Sequence, residues 1–458
     1  MTSTAVAYAR NQQKTSLEQL TELLRVPSVS TLPDHADDIR RAAEWIAGYA
    51  HRIGLENVEL IETERHPIVY ADWLHAEGKP TVLVYGHYDV QPPDPLEEWE
   101  TPPFEPTIRD GKLYARGSSD DKGQVFAQLK ALEAYLQSQG SLPVNVKLCI
   151  EGEEEIGSQN LAATLQAHHD RFAADACVIS DSHMRGPDQP SIVYGLRGMV
   201  YGEIEVTGPS HDLHSGGYGG AVHNPLQAMG EILASLHDAE GHVTIPGFYD
   251  AVRELSEAER AAVLEAGVDE SDILSESGAP AIWGEPDYSV AERLGARPTL
   301  EIHGIRGGFT GEGAKTVIPA GALAKVSMRL AAHQEADEIA ELFERHVESL
   351  APETVRVSAN AFFKADPALV ERDHPVMEAA AQAYESSFDA RPVFTLEGGS
   401  IPVVSLLQHQ YGIPVVLMGF GLPDDRLHSP NEKFDLANFE RGVECAIHFL
   451  TNVITRHG

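Results

Sequence analysis

The chain has 458 residues, 42% of them hydrophobic and 23% charged, which excludes a fibrous or disordered protein and is too long for one ordinary core. Its 34 Lys and Arg against 70 Asp and Glu leave a net charge of −36, a field that repels phosphate backbones and anionic lipid and so argues against nucleic-acid or membrane partners. Cys149, Cys177 and Cys445 are odd in number and read as reduced core residues, not a disulfide framework or a thiolate zinc site. The segment MTSTAVAYARNQQ lacks a basic start followed by an apolar core, so the expectation is a cytoplasmic protein.

In chain order, apolar residues at helical spacing predict amphipathic helices over Ser16 to Arg25 and Asp37 to Ile53. TVLVY from Thr81 reads as a buried strand ending at Gly86 and His87. Helix 124–139, strand 144–150, helix 157–167 and strand 176–180 follow, an alternation that implies a largely parallel sheet covered on both faces. The pattern changes after Asp181. Residues 192–206 read as a long strand or hairpin interrupted at Gly195 and Gly198, followed by a Gly-rich loop and a helix with Asn224 as cap and Pro225 in its first turn. Strands near 299–303, 323–330 and 354–363 surround a helix near 336–350. From His374 the alternation resumes, with helices at 375–387 and 401–409, strands at 393–396 and 414–418, and a closing helix from Leu436 to about Ile454. The fold class expected is α/β, a mostly parallel-sheet catalytic domain at 1–194 and 368–458 with an inserted α+β domain at 195–367.

In an open α/β sheet, ligands bind beyond the carboxyl ends of the strands. Four predicted strands end in metal-ligand residue types: His87, the run Glu151, Glu153, Glu154 and Glu155, Asp181, and, through a loop, His428. Asp120 and Asp121 stand just before a helix. A lone carboxylate at a strand end is ordinarily a cap or a solvated charge, but three adjacent glutamates beside buried strand ends repel one another unless cations or hydrogen bonds compensate. Nitrogen and oxygen donors without thiolates suit zinc, manganese or cobalt, and so many donors suit two ions sharing a carboxylate and a water. Asp89 is placed behind His87, accepting the other imidazole N–H and fixing its tautomer. A serine nucleophile fares worse, because no G-x-S-x-G elbow is present. The run from Gly308 to Thr316 fails as a phosphate loop, since Ala314 separates Gly313 from Lys315.

The segments YGHYDVQP, LYARGSSDDKG, EGEEEIGS, YGLRG, DLHSGGYGG, AKTVIP, EGGSIPV and GFGLPDDRLHSPNEKF occur in the order and rough spacing of the two-metal dipeptidase, carboxypeptidase and aminoacylase family. Over nearly its whole length the chain resembles that family, and most of all its carnosinase and cytosolic non-specific dipeptidase branch. The resemblance implies a catalytic α/β domain carrying a lid domain through which two copies form a homodimer. It implies one metal on His87 and Asp181, another on Glu155 and His428, Asp120 as the bridge, and a cis peptide between Asp120 and Asp121. Glu154 is then the general base, with Asp89 the other catalytic residue. The substrate residues implied are His214, reaching across the dimer to the tetrahedral intermediate, Thr316 and Arg329 on the terminal carboxylate, and Glu397 and Ser400 at the pocket floor.

The expected function is metal-dependent hydrolysis of dipeptides or short peptides with a free C-terminal carboxylate, with two divalent ions, zinc first and manganese or cobalt as alternatives. An N-acyl-amino-acid amidohydrolase or a carboxypeptidase shares the same metal site. A different class, an inactive metal-binding scaffold, is disfavoured by Glu154 standing with all five ligand candidates. The branch often has a His-Gly-containing segment late in the lid, where this chain reads Ala359 to Ala365 without one, so side-chain preference does not follow from the resemblance.

Overall fold

The structure, a computed structural model, describes residues 2–399 and 401–453. The chain divides into two compact units, one of Met1–Tyr194, Val370–Phe394 and Leu406–Gly458, the other of Gly195–Leu369 and Thr395–Ser405. The short segment Thr395–Ser405, which the sequence pattern places with the first domain, clusters with the second unit.

The first unit is built on a mixed sheet whose four central strands run parallel, in the order Asn145–Glu151, Thr81–His87, Ala176–Ile179 and Val415–Leu417. An antiparallel hairpin, Glu56–Ile61 and Ile68–Trp73, extends one side, and Ser191–Leu196 joins antiparallel on the other. The parallel strands are almost wholly buried and rich in Val, Leu and Ile, as expected of strands covered on both faces. The helix Lys122–Gln139 lies inside the unit, with every residue from Lys122 to Tyr135 buried. Its polar members are satisfied internally: Lys130 pairs with Glu133, and Glu133 also accepts from the hydroxyls of Tyr8 and Tyr49.

The second unit holds a four-stranded antiparallel sheet in the order Thr299–Gly307, Gly321–Leu330, Gly198–Thr207 and Arg356–Ala365. The helices Pro225–Ser235 and Ala336–Ser349 contribute Met229, Ile232, Ile339 and Phe343 to a core shared with Val200, Ile204 and Val326 of the sheet. Asn224 caps the first of these, its side chain accepting from the Leu226 N–H at 3.0 Å, with Pro225 where a missing N–H costs nothing.

Several elements were absent from the sequence reading. Among them are the helix Thr2–Asn11, the hairpin Glu56–Trp73, the short strands Thr107–Arg109 and Lys112–Tyr114, and the helices Glu257–Ala266, Glu270–Ser277 and Val290–Gly295. The last three each open on a capping box, Ser256 with Glu259, Asp269 with Asp272 and Ser289 with Glu292, a signal that stands in the sequence. The long element at residues 192–206 is two strands, parted at Arg197.

Close backbone approach behind the parallel strands accounts for Gly86. A Cβ there would lie 2.2 Å from Val125 Cγ2 and 2.7 Å from Asp121 Oδ2. Val125 is stiff and sits on the buried helix, so neither neighbour can retreat freely. Gly86→Ala should therefore lower stability by about 2 kcal/mol through overpacking, read as a shift in the urea midpoint with unchanged slope.

Candidate metal centre and active site

The carboxyl ends of the four parallel strands converge on one place, as the topology rule requires. His87 is the last residue of its strand, and Glu151 ends the neighbouring strand and leads into the short 3₁₀ turn Glu154–Ile156. Asp181 follows Ile179 by two residues, and the loop after Val415–Leu417 brings His428. Asp120 comes from the loop before the buried helix.

Two triads result, His87 with Asp120 and Asp181, and Asp120 with Glu155 and His428. The two oxygens of Asp120 divide between them. Oδ1 lies 3.1 Å from His87 Nε2, and Oδ2 lies 2.9 Å from His428 Nε2. Asp181 Oδ2 is 3.7 Å from His87 Nε2, and Glu155 Oε2 is 3.3 Å from His428 Nε2. His87 is wholly buried, whereas the His428 side chain is 56% exposed, so the site has a dry floor and an open mouth.

The electrostatics are lopsided. Asp120, Glu154, Glu155, Asp181 and Asp89 surround only two imidazoles. Burial pushes Asp181 up to about 6, with the Asp120 charge adding to it, and pushes Glu155 up to about 9 in the same way. Glu154 is lifted well above the ordinary carboxylate range, chiefly by burial, with Asp181 and Glu155 adding and His87 opposing. Burial alone would raise Asp120 as well, but the two imidazoles, His428 foremost, hold it below the usual range. A dry cluster with more carboxylates than cations is the environment that a bound cation neutralises.

The residues fit a pair of divalent ions. The donors are imidazole nitrogens and carboxylate oxygens without a thiolate, a set for zinc, manganese or cobalt. His87 Nε2 is buried and makes no aligned hydrogen bond although two carboxylates are close, as an imidazole poised for a metal does. Its other nitrogen, Nδ1, lies 3.1 Å from the carbonyl oxygen of Asp89, which fixes the tautomer.

The Asp89 carboxylate faces the same nitrogen, Oδ1 at 3.4 Å, and its two oxygens also accept the backbone N–H groups of Glu154 and Glu155 at 3.3 and 3.1 Å. Asp89 holds the ring through its main chain and the glutamate turn through its side chain, because that turn follows the adjacent parallel strand. Asp121 does not cap its own helix; its Oδ2 accepts the His87 N–H at 3.2 Å, and the Asp120–Asp121 peptide is cis.

Two further residues support the ligands, Gln91, which the sequence pattern does not single out, and Glu151, which it does as a strand-end acid. Gln91 donates to Glu155 Oε2 at 2.8 Å and orients it. Glu151, pushed up to about 7 by burial, accepts from the Tyr85 and Ser158 hydroxyls behind the site. The signal for Gln91 was its place in GHYDVQP, but the spacing alone does not say which way an amide points.

The remaining expected residues lie in the second unit. His214 and Thr316 come together there: Leu213–His214 pairs with Val317–Ile318, and the Ser215 N–H donates to the Thr316 carbonyl at 3.1 Å. His214 Nδ1 accepts from the Gly216 N–H at 2.9 Å, and both His214 and Thr316 are exposed. Arg329 is half-buried and lines a cavity of about 390 Å³ with Arg197, His303 and Ser327. The Glu397 carbonyl accepts from the Arg197 N–H at 3.1 Å. Ser400 lies outside the described residues.

If Asp120 is shared by both triads, its loss must affect two ions and not one. Asp120→Ala is expected to bring the metal content of the purified protein well below half that of the parent, whereas His428→Ala removes a single ion; elemental analysis per chain distinguishes the two.

Comparison with known proteins shows the family of the chain. The sequence profile described as Peptidase family M20/M25/M40 matches residues 83–452. The Cys-Gly metallodipeptidase dug1 of Schizosaccharomyces pombe is 36% identical over 414 residues, covering 88% of this chain and 86% of the relative. The Beta-Ala-His dipeptidase of Homo sapiens is 34% identical over 398 residues, covering 85% and 78%. Among solved structures, the metallo-carboxypeptidase Sso-CP2 from Sulfolobus solfataricus superposes with a TM-score of 0.84 at 31% identity, covering 96% of this chain and 99% of that one. The chain belongs to peptidase family M20/M25/M40 and is a metallopeptidase.

Proposed function

We propose that the protein hydrolyses the peptide bond of dipeptides and similar short substrates with a free C-terminal carboxylate. The observation that carries this reading is the Asp120 carboxylate set between two imidazoles, each imidazole joined by a further carboxylate. His87 and Asp181 would hold one divalent cation, Glu155 and His428 the other, and Asp120 would serve both. The similarity to the Cys-Gly and Beta-Ala-His dipeptidases supports the dipeptide as substrate class.

When bound, two such cations supply an acidified water and a polarised carbonyl. Zinc is the proposed metal, with manganese or cobalt as substitutes, because the donors are nitrogen and oxygen. Glu154, which stands beside the ligand Glu155 in the turn Glu154–Ile156, would take the proton from the attacking water. The water oxygen adds to the carbonyl carbon, the C–N bond breaks, and the proton on Glu154 passes to the leaving amine nitrogen. Asp89, gripping the Glu154 and Glu155 amides, keeps base and ligand on their separate tasks. In this reading His214 would donate to the developing oxyanion, Thr316 and Arg329 would bind the terminal carboxylate, and Glu397 would stand at the pocket floor. The half-buried setting of Arg329 in its cavity supports that role, since a carboxylate binds a partly desolvated guanidinium more strongly than an exposed one.

The proposal extends to a homodimer through the second unit. Thr299–Gly307 is an edge strand of its sheet and carries Ile302 at 42% and Ile305 at 56% exposure, the kind of apolar edge that proteins cover. The three cysteines are free and buried, which suits a reducing, cytoplasmic setting. Among the described residues no helix is long and apolar enough to cross a membrane.

A carboxypeptidase acting on longer peptides is the second reading, favoured by the likeness to Sso-CP2. Comparing turnover of an unblocked dipeptide, its N-acetyl amino acid counterpart and a tripeptide separates these. The dipeptide should be cleaved fastest, and preference for the acetylated substrate would overturn the assignment. Glu154→Gln is expected to keep both ions yet reduce kcat by about a thousandfold or more, since it removes the proton carrier alone. Ile305→Lys should shift the protein from dimer to monomer in sedimentation.

A further inference from the structure

We propose that Glu432 is a positioning residue that sets the cation site of Glu155 and His428 by fastening the loop of His428 to the loop of Asp120. This inference rests on the two-ion reading above. Glu432 is completely buried, and both of its oxygens are used twice. Oε2 accepts from Arg116 Nη1 at 2.8 Å and from the Gly117 N–H at 2.9 Å. Oε1 accepts from the Ser119 N–H at 2.9 Å and from the N–H of Asp120 itself at 3.1 Å. One side chain thus grips four donors between Arg116 and Asp120, in the segment that delivers the shared carboxylate.

A second tie lies on the other side of His428 in the chain. Asp425 Oδ2 accepts from the Ser119 hydroxyl at 2.8 Å and from the Leu422 N–H at 2.7 Å, while Oδ1 accepts from Lys433 Nζ at 2.7 Å. The segment carrying His428 is therefore tied at both of its ends, Asp425 and Glu432, to the one segment carrying Asp120. Between the ties, Arg426, His428 and Asn431 have φ values of 59°, 59° and 63°, a left-handed backbone that residues other than glycine rarely adopt. Such a loop keeps its shape only when its surroundings dictate it.

The two triads differ in this dependence. His87 ends its parallel strand and Asp181 stands two residues beyond the next one, so loosening the ties misplaces only Asp120 among three donors. In the other triad it misplaces Asp120 and His428, two of three. Glu432→Gln puts an amide N–H₂ against donors already pointing at that position, which breaks the grip without emptying the volume.

The test is a calorimetric titration of demetallated full-length protein with Zn²⁺, alongside melting temperatures with and without the ion. The parent should bind two ions; fewer than two would defeat the two-ion reading itself, whatever the variants do. In E432Q one ion should bind within threefold of its parental affinity and the other at least tenfold more weakly, and the rise in melting temperature on adding Zn²⁺ at fixed concentration should shrink. A purely structural role would lower the metal-free and zinc-loaded melting temperatures together and leave both affinities unchanged. That result, or equal weakening of both ions, would overturn the proposal. Should E432Q fail to fold, Ser119→Ala decides, because it deletes only the hydroxyl on Asp425. It should weaken one ion two- to fivefold, and unchanged binding of both would refute the coupling.

Discussion

Everything in the first unit answers to a single constraint, the carboxylate of Asp120 held between His87 and His428. A buried acid with an imidazole on each oxygen, and with Glu154, Glu155 and Asp181 close by, cannot be stabilised by the two imidazoles alone. The surroundings push three of these acids up and hold Asp120 down. That division separates roles chemically. The group kept ionised is suited to be shared between cations, and the ones pushed toward protonation need a cation or a proton to be stable where they are.

The parallel sheet supplies the precision. Adjacent parallel strands, Asn145–Glu151 and Thr81–His87, end at the same level, so His87 and the turn bearing Glu154 and Glu155 lie side by side. Asp89 exploits this proximity by holding the His87 ring with its carbonyl and the glutamate turn with its carboxylate. Ligands carried on strand ends come already placed. Asp120 and His428 come from loops, and loops need fastening, which is where Glu432 and Asp425 act. The divide between strand-borne and loop-borne donors is the main asymmetry of the site.

Most of the first unit was legible in the sequence because its strands are continuous apolar runs and its ligands stand just beyond them. The hairpin Glu56–Trp73 was not, for two reasons. Its first strand is broken by Glu56, Asn57 and Glu59, and its second contains a buried Asp72. That acid is satisfied by the Tyr70 hydroxyl on its own strand and by the Asn57 amide at 2.9 Å, a partner that only the hairpin pairing brings close. The helix Thr2–Asn11 buries only Ala5 strongly and is held through Tyr8 on Glu133 and Arg10 on Glu444, contacts more than a hundred residues apart in the chain. The site residues behind the ligands were hidden for the same reason. Glu432 reads as one more acid in SPNEKF, and only tertiary structure shows four donors converging on it. In the second unit, by contrast, three capping boxes were written in the sequence and could have marked their helices.

In the proposed site one carboxylate, that of Asp120, would serve two cations. Crystals of the zinc-loaded protein, with anomalous diffraction collected on both sides of the zinc absorption edge, test this most directly. Two zinc peaks are predicted, one beside each oxygen of Asp120, the first also touching His87 and Asp181 and the second Glu155 and His428. A single peak, or two peaks with Asp120 bound to only one of them, would contradict it.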